Sequence, residues 1–216
     1  KWQDRFIYQA VGEGGFCVNL FKVLQTNTCK HNCLYCANRR DRNFIRFSFS
    51  PSELARIFLK YYQKKKVQGL FLSSAIEKDA NITQEKMLET IRILRRDYGY
   101  RGYIHFKILP GADKKLILEA AKLSDRISLN LEAPGEIYLN RISLEKDMHK
   151  VLIPTLENIM EVNRISPLKA GITTQLIVGA SEETDKEIVF FADEIYKKYK
   201  INRISVSLFV GSVRCV

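Results

Sequence analysis

Apolar residues recur along the chain with two different spacings, and the two spacings alternate. Short apolar runs stand between longer stretches in which apolar residues return every three or four positions. The short runs are typical of buried strands, and the longer stretches are typical of amphipathic helices. The pattern therefore predicts strands at residues 21–26, 69–74, 103–109, 126–132, 173–178 and 203–210.

Helix signals fall between the predicted strands. Residues 50–53 read Ser-Pro-Ser-Glu, a capping box with proline at the first helical position, so a helix is expected to begin there. Asp113 precedes another helical stretch and is expected to cap it. The predicted helices cover residues 51–66, 83–98, 114–123, 145–163 and 188–199, and the fourth is expected to be bent or interrupted at Pro154.

This alternation of strands and helices indicates an α/β fold. Strands joined by helices form a parallel sheet with right-handed crossovers. About six strand–helix units are present, too few to close an eight-stranded barrel, so we expect a partial (β/α)6 TIM-like barrel of parallel strands with outer helices. Residues 1–20 are expected to be an N-terminal extension, flexible over residues 1–15, and residues 21–216 to be one core domain.

The charge of the chain is unevenly distributed. The 216 residues carry a formal net charge of +11. Residues 1–66 hold 13 Lys/Arg against 4 Asp/Glu, whereas residues 67–216 hold 22 against 20. A localised basic surface suggests a polyanionic partner, such as a nucleic acid or a phosphorylated substrate. A solvated basic surface without a partner is the alternative.

Other features of the composition favour an intracellular protein outside the membrane. No apolar run is long enough to span a bilayer, and the first residues lack the pattern of a signal peptide. Five cysteines, three of them in one loop, suit metal binding in a reducing compartment better than a disulfide framework. We therefore expect a cytoplasmic protein. The chain begins at Lys1, which leaves open that it is a piece of a longer one.

Three cysteines with the spacing C-x-x-x-C-x-x-C are the main chemical signal. Cys29, Cys33 and Cys36 lie in a loop short enough to turn their sulfurs toward one point. Thiolates are soft ligands that favour zinc or iron–sulfur clusters. Structural zinc usually takes four protein ligands, and His31 is a possible fourth. A cubane cluster on three thiolates instead leaves one iron open to a cofactor.

Polar residues at the ends of the predicted strands are expected to lie near this loop. The cysteine loop directly follows the first strand, and in parallel α/β folds the site lies at the C-terminal ends of the strands. The polar residues at or near other strand ends are Ser73, Ser74, Lys107, Glu132 and Gln175. We expect a cluster at this edge to be accessible to a substrate.

The loop and the predicted fold together resemble the radical S-adenosylmethionine (SAM) superfamily. Within it, the chain resembles the family described as DNA modification or repair radical SAM proteins. The stretches that carry this closer resemblance are residues 24–27, 35–40, 69–74, 102–105, 110–113 and 130–132. The resemblance extends over nearly the whole chain.

The superfamily resemblance implies a cluster, a cofactor and a reductant. It implies that Cys29, Cys33 and Cys36 bind a [4Fe-4S] cluster whose open iron chelates SAM. One electron, from a donor such as a flavodoxin or ferredoxin, then cleaves SAM to a deoxyadenosyl radical. The protein orients these cofactors and excludes water. No residue is assigned to catalysis on the substrate itself.

The resemblance also implies SAM-binding residues, each with a simpler alternative. Tyr35 matches the position that packs on the adenine, or it is a core aromatic. Ser73 and Ser74 stand where the superfamily often has Gly-Gly-Glu, which receives the methionine amino group. Glu132 matches a polar position near the ribose, or it forms a surface ion pair. Lys107 is expected to pair with the SAM carboxylate, or to be solvated at its strand end.

Two further stretches carry candidate binding residues. Residues 175–182 resemble the pattern G-x-I-x-G-x-x-E with Gln at the first position, so Gly179 is expected to let the backbone approach the adenine. Arg39, Arg40 and Arg42 follow the cysteine loop and suit phosphate oxygens of a substrate. Solvated arginines, or arginines paired with carboxylates, are the alternative.

The sequence thus predicts a radical SAM enzyme that acts on DNA or another nucleic acid, in modification or repair. A radical SAM enzyme acting on a small metabolite or a peptide is one alternative. A zinc-stabilised nucleic-acid-binding module without catalysis is another.

Overall fold

One sheet holds the strands in the order in which they occur along the chain. The structure is a computed structural model that describes residues 6–11, 15 and 17–209. Strands β2 to β7 run parallel, and β1 pairs antiparallel with β2. The strands are β1 (Ile7–Val11), β2 (Cys17–Leu24), β3 (Gly69–Ser73), β4 (Tyr103–Lys107), β5 (Arg126–Ser128), β6 (Ile172–Val178) and β7 (Arg203–Leu208).

Helices connect the successive parallel strands from β2 onward, as expected for crossover connections. The helices are α1 (Pro51–Gln63), α2 (Ala80–Arg92), α3 (Lys114–Leu123), α4 (Glu136–Ile142), α5 (Ile153–Ile165) and α6 (Asp185–Tyr199). A π-helical turn extends α2 over Ile93–Asp97, and another precedes α5 over Met148–Leu152. None of the helices in the described residues is long and apolar enough to cross a membrane.

The sheet has an apolar face toward the helices and a more polar face away from them. Phe21, Leu70 and Ile104 are buried in the apolar core. The residues that follow them, Lys22 and Phe71 among them, point to the opposite side because side chains alternate along a strand. Helices packed on one side of a curled parallel sheet make a half-barrel, so the predicted partial barrel is confirmed, with β1 added at one edge.

The ends of the chain differ from the prediction. The expected flexibility of residues 1–15 is wrong for residues 7–11, because these form β1 and pair with β2. The first parallel strand starts at Cys17, ahead of the predicted start at residue 21. Residues 1–5, 12–14 and Val210, which belong to the predicted flexible segment and last strand, lie outside the described residues.

The region after β4 also departs from the predicted boundaries. The strand predicted over residues 126–132 ends at Ser128, and only Glu132 bridges to β6 beyond that point. Helix α4 is missing from the prediction. The long helix expected from residue 145 starts as a π-helical turn and becomes α-helical at Ile153, so the predicted interruption near Pro154 is confirmed.

One predicted helix cap is confirmed and another is wrong. The capping box of α1 forms, with the Glu53 backbone N–H donating to the Ser50 hydroxyl and the Ser50 N–H donating to Glu53. Asp113 stands at the N-cap of α3, but its side chain makes no capping hydrogen bond, so the predicted cap is wrong. Helix α2 starts at Ala80, where Asp79 caps it.

Candidate functional site

The cysteine loop is anchored to the C-terminal edge of the sheet by backbone hydrogen bonds. It belongs to the connection between β2 and α1, which leaves the sheet beside the end of β3. The Gln25 N–H donates to the Ser73 carbonyl (2.8 Å), and the Lys30 N–H donates to the Ile76 carbonyl (2.7 Å). The loop therefore lies where the parallel strands end, as the sequence predicts.

Three free thiols lie in this loop, at different depths. Cys33 is buried, whereas Cys29 and Cys36 are half-buried. The sulfur of Cys33 lies 3.1 Å from the Ser143 hydroxyl oxygen. The Asn38 N–H donates to the Cys36 sulfur at 3.4 Å. Burial raises the pKa of the Cys36 thiol, so a metal would be needed to keep it ionised.

This donor set fits an iron–sulfur cluster better than a single ion. Within residues 6–11, 15 and 17–209, no three His, Cys, Asp or Glu side chains are placed to hold one metal ion together. In a cubane cluster each cysteine binds a different iron, so the thiolates need not converge on one point. His31 lies 3.8 Å from Glu145, and this contact gives no support for a zinc ligand role.

The guanidinium of Arg46 stabilises the cysteine loop. Arg46 donates hydrogen bonds to five backbone carbonyls of residues that surround the cysteines. The accepting carbonyls belong to Asn27, Asn38, Arg39, Arg40 and Arg42. Because this part of the loop lacks helix and strand ladders, Arg46 satisfies backbone groups that would otherwise need water.

A buried ion pair borders the loop on the side of β5 and β6. The Lys146 Nζ lies 2.8 Å from Glu132 Oε1 and donates to the Tyr35 hydroxyl oxygen at 2.7 Å. The Lys146 and Glu132 side chains are only 11% and 7% exposed. The surface ion pair considered for Glu132 is therefore wrong, because its carboxylate is inside the protein.

Glu132 is ionised in spite of its burial. Burial opposes ionisation, but Lys146 and Lys107 outweigh it and lower the pKa of Glu132 below its usual value. Its backbone has a positive φ of 70°, a conformation that non-glycine residues adopt rarely. This strained backbone fits the tight turn at which the chain bridges to β6.

Lys107 stands at the end of β4 in the same electrostatic environment. Burial lowers the pKa of Lys107 to about 8, with Glu132 opposing this shift and Lys146 reinforcing it. The fully solvated lysine considered as an alternative is wrong, because the residue is half-buried and close to both groups. An anion placed here would gain a short-range charge interaction.

The serines and the glycine predicted for SAM lie at strand ends, as expected. Ser73 ends β3, and the Ser74 hydroxyl donates to the Ala75 carbonyl. Gly179 follows β6 with φ of 80°, a conformation that suits glycine. The structure thus brings these residues to the same edge of the sheet as the cysteine loop.

The loop after Gly179 is held by a carboxylate that the sequence pattern does not single out. Glu183 accepts hydrogen bonds from the Gly179 N–H and from the Ser181 N–H. Glu182, the residue that completes the G-x-I-x-G-x-x-E pattern, is instead exposed and lies 3.3 Å from Arg141. The carboxylate that holds the loop after Gly179 is therefore that of Glu183, the residue that follows the pattern.

The arginines after the cysteine loop are only partly available to a ligand. Arg40 is paired with Asp41 and Glu145, so the paired alternative is correct for it. Arg39 donates weakly to the Leu34 carbonyl, and its buried Nε has no partner among the described residues. Arg42 is half-buried.

Lys146 is a residue of this site that the sequence does not predict. It lies in the segment between α4 and the π-helical turn, where the sequence predicts the start of a helix. A lysine followed by an aspartate in a loop is an ordinary surface pattern, so no sequence signal identifies it. Ser143, which contacts Cys33, is missed for the same reason.

Solved structures of several proteins superpose on this chain at low sequence identity. A structure of HydG, a maturase of the [FeFe]-hydrogenase, superposes with a TM-score of 0.70 at 14% identity, over 91% of this chain and 44% of that one. Methylornithine synthase (PylB) gives a TM-score of 0.66 at 12% identity, over 88% and 53%. The methyltransferase TsrM from Kitasatospora setae, with cobalamin and a [4Fe-4S] cluster bound, gives 0.62 at 12% identity, over 88% and 37%.

These likenesses show the fold, and the chain spans about half the length of these proteins or less. No curated protein matches the chain in sequence. The sequence model of the Radical SAM superfamily matches residues 23–195, which is most of the chain and includes all three clustered cysteines. The chain belongs to the radical SAM superfamily.

Proposed function

We propose that the chain is the catalytic core of an enzyme that cleaves S-adenosylmethionine reductively. Members of the superfamily are enzymes that use a [4Fe-4S] cluster and S-adenosylmethionine. The observation that carries the proposal is the set of three free thiols in one loop at the C-terminal edge of a half-barrel. Residues 21–216 are proposed as the core domain, with residues 1–20 as its N-terminal extension.

Cys29, Cys33 and Cys36 would each bind one iron and leave the fourth iron for SAM. When bound, the cluster supplies the electron that cleaves a carbon–sulfur bond of SAM and so yields the deoxyadenosyl radical that takes hydrogen from the substrate. A flavodoxin or ferredoxin is proposed as the electron donor. The free thiols support a reducing, cytoplasmic location.

The residues around the loop are proposed to orient SAM. Lys107 suits the carboxylate, because it is half-buried at the end of β4 and a bound anion would offset the burial that lowers its pKa. Glu132 suits the ribose hydroxyls, since its carboxylate oxygens can accept further hydrogen bonds besides those from Lys146 and Asn130. Tyr35 is proposed for the adenine, and its ring is half-buried beside Lys146. The remaining candidates are Ser73 and Ser74 for the amino group and Gly179 for the adenine.

The variant Cys33→Ser tests the proposed cluster. We expect it to assemble no [4Fe-4S] cluster after anaerobic reconstitution and to form no detectable deoxyadenosine, because one of three iron ligands is replaced by a poor one. Cluster absorbance and deoxyadenosine are measured, with circular dichroism as the check on folding. Cys17→Ser is the control, since Cys17 lies on the exposed start of β2 and should leave both signals unchanged.

Two outcomes would contradict the proposal. One is deoxyadenosine formation by Cys33→Ser at the wild-type rate. The other is a wild-type protein that binds one equivalent of zinc tightly and assembles no cluster. The second outcome would favour the zinc-stabilised binding module instead.

The class of substrate is a second proposal, separate from the proposed cluster and cofactor. A nucleic acid, modified or repaired by the enzyme, is favoured by the excess of basic residues in residues 1–66, which include the cysteine loop. The pairing of Arg40 and the internal role of Arg46 leave Arg39 and Arg42 as the proposed phosphate contacts. A small metabolite or peptide is the competing substrate class.

Binding to DNA and RNA oligonucleotides across a salt series separates these substrate classes. If phosphate contacts contribute, the affinity should fall steeply as salt rises, and Arg42→Gln should reduce the slope by about one phosphate. Absence of binding at the lowest salt would rule out the nucleic-acid substrate and leave the small molecule.

A further inference from the structure

Lys146 links the cysteine loop to the rest of the site through two hydrogen bonds. Its ammonium lies between the Tyr35 hydroxyl, which belongs to the loop, and the Glu132 carboxylate, which lies beyond β5. The same ammonium lies 5.4 Å from the centre of the Tyr35 ring. Tyr35 immediately precedes Cys36, so a change at Lys146 acts on the loop one residue from a cluster ligand.

Neighbouring groups keep the Lys146 side chain protonated. Burial opposes the charge, but the Glu132 carboxylate and the Cys33 and Cys36 sulfurs together raise the pKa of Lys146 above its usual value. The two sulfurs are thus close enough to interact with the ammonium. A buried cation next to a cluster interacts strongly with it, because little water screens the interaction.

We propose that Lys146 is a positioning residue that, with Glu132, sets the reduction potential of the cluster. This rests on the proposed cluster at Cys29, Cys33 and Cys36. Reduction transfers one electron from the flavodoxin or ferredoxin to the cluster. The donor is oxidised, the cluster gains one negative charge, and no bond or proton changes place.

The signs of the two charges decide which variants are informative. The Lys146 cation stabilises the added negative charge and favours reduction, whereas the Glu132 carboxylate opposes it. Together the two groups form a nearly neutral pair. Removing Lys146 makes the net charge near the cluster more negative and removing Glu132 makes it more positive, so the two single changes should move the potential in opposite directions.

The midpoint potential of the reconstituted cluster, measured by titration under electron paramagnetic resonance without SAM, tests this proposal. We expect Lys146→Met to lower the potential and Glu132→Gln to raise it, each corresponding to about a tenfold change in the equilibrium constant, or about 59 mV for one electron. The double variant should return most of the way to the wild-type value. Lys150→Met removes an exposed lysine nearby and should leave the potential unchanged.

Opposite shifts distinguish an electrostatic effect from a merely structural one. If the cluster-loaded variants keep the wild-type potential, or if both single changes shift it in the same direction, the inference is wrong. If Lys146→Met does not fold, the upward shift in Glu132→Gln and the value of the double variant decide the question. A wild-type protein that assembles no [4Fe-4S] cluster contradicts the proposed function instead.

Discussion

His105 is a histidine held neutral on the polar face of the sheet. Its ring stacks on Phe71 with centroids 4.0 Å apart and planes 3° apart, and its Nε2 lies 2.8 Å from the Ser128 hydroxyl oxygen. Burial lowers the pKa of His105 to about 3, and nearby cations act in the same direction. These cations are Arg126, Lys107 and Lys22.

This histidine makes the free energy of unfolding depend on pH. Between the ordinary histidine pKa of 6.5 and about 3, the unfolded chain binds a proton at this site and the folded protein does not. Stability is therefore lost as pH falls through this range, by up to about 1.4 kcal/mol per pH unit. We expect His105→Gln to flatten the dependence in urea denaturation from pH 7 to pH 4.

The exposed His149 provides the control for this measurement. His149→Gln should keep the wild-type slope, since the residue lies on the surface of the π-helical turn before α5. Parallel curves for wild type and His105→Gln would contradict the argument.

At the scale of single residues, the sequence predicts the site residues that belong to a short motif. The three cysteines are found because they lie within eight residues of one another. Lys146 is far from Tyr35 in the chain, and only the path of the segment after α4 brings its ammonium to the loop. No short sequence motif encodes the path of this segment, so the buried ion pair of Lys146 with Glu132 could not be predicted.

Two aspartates at helix N-termini differ in whether their side chains cap the helix. Asp79 and Asp113 both stand at N-cap positions. The Asp79 carboxylate accepts hydrogen bonds from the Asn81 and Ile82 N–H groups, whereas the Asp113 carboxylate accepts none at its cap. The Asp113 N–H donates instead to the Asn81 side chain.

The two aspartates therefore form a matched pair for substitution. Asp79→Ala should lower the thermal midpoint by roughly 2–4 °C, because two helix N–H groups lose their acceptor. Asp113→Ala should stay close to the wild-type midpoint. Scanning calorimetry of both variants measures the difference, and equal midpoints would mean that the capping bonds of Asp79 contribute nothing.

The elements that the sequence misses are short or lie at an edge. β1 has five residues and an exposed, mixed pattern, although the glycine-rich stretch between it and β2 is a hairpin signal. α4 has seven residues, too few to show a helical period. The long strands and helices are predicted because their apolar faces are long enough to show the repeat.

For the molecule as a whole, the apolar core thins out toward β7. Leu176 on β6 and Val206 on β7 are paired in register and point to the same side of the sheet. Leu176 is buried in the core, whereas Val206 is 65% exposed. The core therefore extends from the first helices to β6 and covers β7 only in part, through residues such as Ile204.

Substitution of this pair locates the boundary of the core. Leu176→Ala should cost about 2–5 kcal/mol of unfolding free energy, because it opens a cavity in a packed region. Val206→Ala should change it by less than about 0.5 kcal/mol. Urea denaturation measures both values. A large cost at Val206 would show that another part of the chain covers this strand.

The hydrogen bonds of Arg46 bear on the order in which the metal centre is assembled. Since one side chain already fixes five carbonyls around the cysteines, much of the ordering cost of the loop is met when the protein folds. Iron and sulfide would then enter a loop that is ready to receive them, unlike small zinc domains, which fold only with their metal. Loss of the cluster by oxidation should accordingly be repairable, because the hydrogen bonds of Arg46 involve none of the cysteines.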